Sequence, residues 1–172
     1  MNSGAILLID DSPDDVLLIR LALGRAGINN PFRTVQNGEN ALQYLSAEGP
    51  YADRAAFPLP SMILLDLAMP RMDGFEVLDW IRRHQQFSHI PVIVLTGSSL
   101  LADAKRAYQM GANSFLTKPA DLTELTLALR ETADFWLATS RIPARIGSGS
   151  EQPLEEALRS KLADEASQRV SA

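Results

Sequence analysis

The 172-residue chain contains no cysteine, which excludes a disulfide framework, a thiolate zinc site, an iron–sulfur cluster and a thiol nucleophile. Histidine is nearly missing: the two present, His84 and His89, lack metal-ligand spacing and are expected at the surface after the third helix. Basic residues are outnumbered, and the net charge of −5 argues against a nucleic-acid surface, which would need clustered Lys and Arg. No apolar stretch approaches the length needed to cross a bilayer. The first one stops at Asp10 and has no basic residues before it, unlike a secretory signal, so the expected location is the cytoplasm. Nor does a Gly-rich phosphate loop follow that first stretch, which disfavours a nucleotide or flavin module.

Apolar residues are plentiful instead, at 46% of the chain, and they fall in short runs alternating with longer segments of helical periodicity. That alternation is the pattern of a parallel sheet covered on both faces, an α/β fold. Strands are expected at 5–10, 32–36, 62–65, 91–95 and 113–117. Ser12 caps the first helix, with Pro13 in its first turn and Asp14 and Asp15 at the positive end of its dipole. Asn37-Gly38 opens a second helix ending near Ala47. Residues 48–60, with Pro50, Pro58 and Pro60, are expected to be a long loop without regular structure. Asp73-Gly74-Phe75-Glu76 has the spacing of a capping box and leads a third helix with Phe75, Val77, Leu78 and Ile81 on one face. Leu101, Ala104, Ala107 and Tyr108 line a fourth, with Gly111 as its left-handed end; Trp80 and Tyr108 are read as packing residues. Asp121 to Glu124 repeats the capping-box spacing ahead of a stripe of Leu125, Ala128, Leu129 and Trp136.

Beyond Ile142-Pro143 the pattern changes. Residues 147–150 are linker-like, and Leu154, Leu158, Leu162, Ala166 and Val170 recur at the spacing of an amphipathic helix. Five acidic and five basic residues follow Ser140, so the whole net charge belongs to 1–139. The expected organisation is one folded domain over 1–139 and a tail, 140–172, without a separate output domain.

Chemistry concentrates where the apolar runs end. Asp10 and Asp11 follow the first, Asp66 the third; Thr96 follows the fourth, and Lys118 the fifth. In a parallel sheet those ends share one rim, where ligands bind in open α/β folds. Clustered carboxylates repel unless protons or a hard cation neutralise them, and Mg²⁺ suits an all-oxygen donor set. Asp66 is then the candidate nucleophile toward a phosphoryl group, with the metal, the Lys118 ammonium and the Thr96 hydroxyl meeting its oxygens.

Over roughly residues 4–137 these residues resemble the receiver domain of two-component response regulators. The resemblance implies a five-stranded sheet in the flavodoxin-like order 2-1-3-4-5. It also implies phosphorylation of Asp66 by a sensor histidine kinase, and Mg²⁺ held by Asp10, Asp11, Asp66 and the carbonyl of Ala68. Lys118 is implied to pair with the phosphoryl group, and Thr96 and Phe115 to form the switch. The long loop after Glu48, the Pro70-Arg71-Met72-Asp73-Gly74 turn and Asp134-Phe135-Trp136-Leu137 are similar to single-domain regulators paired with phytochrome-type kinases. Such regulators imply a homodimer through the fourth helix, fifth strand and fifth helix, with Phe135 and Trp136 as candidate contacts; burial at the helix end is the alternative for both. No nucleic-acid or membrane partner is implied. A phosphatase of the haloacid-dehalogenase type is the competing chemistry, but Ala68 stands where its acid/base aspartate is expected.

Overall fold

Alternation within the strands decides which helix covers which face of the sheet. The computed structural model describes residues 4–139 and gives the order β1 (Ala5–Ile9), α1 (Pro13–Arg25), β2 (Phe32–Val35), α2 (Gly38–Ser46), β3 (Pro60–Leu65), α3 (Gly74–Arg83), β4 (Val92–Thr96), α4 (Leu101–Gln109), β5 (Ser114–Thr117) and α5 (Leu122–Ala133). A π-helical stretch, Asp134–Thr139, continues α5. The strands are all parallel, as the apolar runs led one to expect, and stand in the order β2-β1-β3-β4-β5 that the resemblance implies. The tail features at 147–150 and 153–170 lie outside the described residues.

Leu7, Ile9, Ile63, Leu65, Val92 and Val94 pack with residues of α2, α3 and α4, including Leu45, Leu78 and Ala107. Their sequence neighbours Ile6, Leu8, Met62, Leu64, Ile93 and Leu95 pack on the other face with Ile19, Ala22 and Leu23 of α1 and Leu125 and Leu129 of α5. The three central strands, β1, β3 and β4, are thus apolar on both sides, which is why their runs are continuous rather than alternating.

Helix starts follow their caps. The side chains of Ser12, Asn37, Asp73 and Asp121 accept from backbone N–H groups at the starts of α1, α2, α3 and α5. At α3 the box is reciprocal, since Glu76 also accepts from the N–H of Asp73. Gly111 has a φ of 93° just past α4, the left-handed position expected of it.

Several expectations change. The 48–60 segment holds a 3₁₀ turn, Gly49–Tyr51, because Pro50 sits in its first turn, where no N–H is needed. Pro60 opens β3, again without losing a ladder bond. The rest of that loop is fastened: Arg54 donates to the carbonyls of Tyr44, Leu45 and Phe57, and the rings of Tyr44, Tyr51 and Phe57 meet with centroids 5.2–5.9 Å apart. His84 is not a free surface residue. It stacks on Trp80 at 3.9 Å between ring centroids, and its Nδ1 lies 2.7 Å from the Trp80 carbonyl. On α4 only Ala107 is buried. Leu101 is 83% exposed, and Tyr108 lies largely outside the core, its hydroxyl accepting from the N–H of Phe115.

One close approach couples the fold to the rim. A Cβ on Gly74 would overlap the carbonyl oxygen of Asp66 and lie 2.7 Å from Leu67 Cα, while the Gly74 N–H donates to the Leu67 carbonyl at 3.0 Å. Both obstacles are backbone and cannot swing aside. Gly74→Ala is therefore expected to cost about 1–3 kcal/mol in urea unfolding, the range for overpacking. A variant as stable as the wild type would show that α3 shifts freely beneath Asp66.

Candidate functional site

Backbone bonds sew the strand ends together. The Asp66 N–H donates to Ile9 O at 2.9 Å, the Asp10 N–H to Val35 O at 3.1 Å, and the Lys118 N–H to Thr96 O at 2.7 Å. Extended backbone then fixes where each side chain goes. Asp10 has the parity of Leu8, Asp66 that of Leu64 and Lys118 that of Leu116, so all three lie toward the α1/α5 side. Thr96 has the parity of Val94 and falls on the α3/α4 side, where Phe115 packs half-buried. Strand parity thus sends Asp10, Asp66 and Lys118 toward one face and Thr96 and Phe115 toward the other, with Thr96 still bordering the cleft at the strand ends.

On the first side, carboxylate oxygens of Asp10, Asp11 and Asp66 lie within 4.8 Å of one another. Asp10 and Asp66 are buried and Asp11 is more open. Lys118 Nζ stands among them, 2.8 Å from Asp10 Oδ2 and 3.6 Å from Asp66 Oδ2. Asp10 Oδ1 accepts from the Ser12 N–H and Asp66 Oδ1 from the Leu67 N–H, each at 2.9 Å. Burial pushes the Asp10 carboxyl above its ordinary value and the charge of Asp66 adds to that, while the bonds from Lys118 and Ser12 pull the other way. Burial alone would lower the Lys118 ammonium, but its bonds to Asp10 and Asp15 and the charges of Asp10 and Asp66 outweigh this and raise it.

These carboxylates front a cleft of about 520 Å³ whose lining includes Asp11, Asp66, Ala68, Thr96 and Lys118. The donors are hard oxygens with a net negative charge and open space before them, which fits a divalent cation such as Mg²⁺ or Mn²⁺. Thr96 is fully buried, and its Oγ1 accepts from the Ser98 N–H at 3.4 Å; Ser98 Oγ donates to Asp103 at the start of α4. Phe135 is 56% exposed, whereas Trp136 packs half-buried against the α1/α5 core.

All five rim residues read from the sequence come together here. One was missed: Asp15, whose Oδ2 lies 2.6 Å from Lys118 Nζ. The sequence marked it only as an acid in the first turn of α1.

The response regulator receiver domain family matches residues 6–130. The probable methanogenesis regulatory protein FilR2 of Methanothrix harundinacea is 37% identical over 138 residues, 80% of this chain and 86% of that protein. The response regulator Rcp1 of Synechocystis is 35% identical over 139 residues, 81% of this chain and 92% of that one. The solved Mn²⁺-bound form of Rcp1 superposes with a TM-score of 0.72 over 82% of this chain and 99% of its own. The phosphorylated cyanobacterial phytochrome response regulator RcpA, 35% identical, does so with a TM-score of 0.74 and the same coverage.

Proposed function

The chain belongs to the response regulator receiver domain family, and on that footing we propose that Asp66 accepts a phosphoryl group from a phosphohistidine of a sensor histidine kinase. The rim carries this reading: three carboxylates gathered within 4.8 Å, faced by one ammonium 3.6 Å from Asp66 Oδ2. Asp66 Oδ1 is held by the Leu67 N–H, which leaves Oδ2 to attack phosphorus. The phosphorus–nitrogen bond of the donor breaks, the imidazole nitrogen keeps the electron pair, and Asp66 becomes an acyl phosphate. Lys118 pairs with the transferred group, and Thr96 turns toward it with Phe115 following inward on the same face of the sheet.

Asp10, Asp11, Asp66 and the Ala68 carbonyl are the groups that would hold Mg²⁺, whose charge neutralises the phosphoryl oxygens. That the relative Rcp1 has been solved in a Mn²⁺-bound form supports divalent-metal binding by this chain, for which the carboxylate cluster is the candidate site. A kinase presenting its phosphohistidine must reach the cleft past α1, where Leu18 lines the cleft and Leu17 and Leu21 are also exposed, an apolar surface for that contact. The likeness to phytochrome response regulators supports a phytochrome-type kinase as that partner.

Residues 1–139 act as the receiver, and the signal leaves through protein contacts. Exposed Leu101 and Tyr108 on α4 and Phe135 after α5 supply apolar surface for a homodimer through α4, β5 and α5, with Trp136 buttressing Phe135, their rings edge to face at 4.9 Å. Incubation with a small phosphodonor and Mg²⁺ is expected to add one phosphoryl group by intact mass, with size-exclusion chromatography reporting the dimer. A chain that gains no phosphoryl mass under these conditions overturns the reading.

A further inference from the structure

Lys118 is held by more carboxylate than the proposed phosphoryl chemistry requires. Its Nζ lies 2.6 Å from Asp15 Oδ2 and 2.8 Å from Asp10 Oδ2, but 3.6 Å from Asp66 Oδ2. Asp15 is free to do this because its usual task is done elsewhere. It stands three residues after the cap Ser12, where an acid reaches back to the cap's N–H; here that N–H already donates to Asp10 Oδ1, and the Asp15 side chain turns to Lys118. The side chain is 34% exposed against 0% for Asp10, so the ammonium bridges a buried seat and an outer one at the cleft wall.

We propose that Asp15 is a positioning residue that gives Lys118 a second seat, letting the ammonium give up Asp10 to a divalent cation while keeping a counter-ion, and holding it back from a phosphoryl group on Asp66. This rests on the reading of the rim as a phosphoacceptor site. Two opposite consequences follow. Without the Asp15 charge, Lys118 leans on Asp10 and competes harder with a divalent cation, and the rim also loses a negative charge; metal affinity falls. A phosphoryl-like anion, by contrast, no longer meets a rival carboxylate for the same ammonium, and its affinity rises.

The test is calorimetry on the full chain, first with Mg²⁺ alone and then with trifluoroberyllate, a phosphoryl mimic, at saturating Mg²⁺. Asp15→Asn is expected to weaken Mg²⁺ binding about three- to fivefold and to tighten trifluoroberyllate by a similar factor, the scale of a partly exposed ion pair. Asp15→Glu, which restores the charge, moves both constants back toward wild type. If Asp15→Asn does not fold, Asp15→Ser, which keeps a residue suited to a helix start, carries the same pair of expectations. Both affinities falling together marks a merely structural residue and overturns the proposal, as does neither moving. A wild type that binds no trifluoroberyllate overturns the phosphoacceptor reading and this proposal with it. A wild type that binds it while the variants match it overturns the proposal alone.

Discussion

Asp66→Asn is expected to reduce phosphoryl labelling to the assay background while leaving the fold at least as stable as wild type. An amide of the same shape keeps the Leu67 N–H bond that orients the side chain, yet its oxygen is a poor nucleophile and it cannot form the acyl phosphate. The stability half of the expectation comes from charge. Asp66 is buried within 4.8 Å of two other carboxylates, and removing one of three like charges relieves repulsion for which Lys118 is the one cationic partner of Asp10 and Asp66 among the described residues. Loss of label with unchanged or higher resistance to urea therefore separates loss of the acceptor from loss of the fold. Undiminished labelling, mapped by peptide mass to any other residue, would reject Asp66 as the acceptor.

The sheet and its rim were legible in the sequence because both depend on short-range regularities. Continuous apolar runs such as Met62 to Leu65 report burial on both faces, and residues just past such runs must share an end of a parallel sheet. Caps were legible for the same reason: Ser12, Asn37, Asp73 and Asp121 each bond within a few residues of their own position. What stayed hidden depends on partners far along the chain. Nothing near Asp15 signals that its carboxylate meets Lys118, and nothing near Arg54 signals that it fastens the end of α2. Leu101 and Tyr108 fit a helical apolar stripe, but of the residues of α4 only Ala107 is buried against the core, and the spacing of apolar residues along the helix does not show how far each one reaches. His84 was misread because a capping and stacking role leaves no spacing signature. The parity that sends Thr96 and Phe115 to one face and the charged group to the other is implicit in the strand runs, yet it needs the residue-by-residue register to emerge.

Lys118→Met, measured without divalent metal, is expected to cost about 3 kcal/mol of unfolding free energy at neutral pH, the low end for breaking a buried ion pair by removing one partner. The Lys118 side chain is only 14% exposed and that of Asp10 not at all, so the methionine fits the space while the Asp10 carboxylate keeps just the Ser12 N–H. The pH dependence fixes the cause. Burial already holds the Asp10 carboxyl above its ordinary value with Lys118 in place; removing the ammonium raises it further. A carboxyl whose folded value exceeds its unfolded one binds more protons in the folded state, so the variant loses stability as pH rises through that window and recovers it on acidification. In the wild type, the raised Lys118 contributes stability that is fully present below its unfolded value and is lost as pH climbs through its folded value. The deficit of the variant should accordingly form a plateau at intermediate pH and shrink on both sides, and added Mg²⁺ should narrow it by supplying the missing positive charge. A deficit that is flat from acid to alkaline pH and indifferent to Mg²⁺ would mean that Lys118 matters here for its packing, and that its ammonium does not balance the clustered carboxylates.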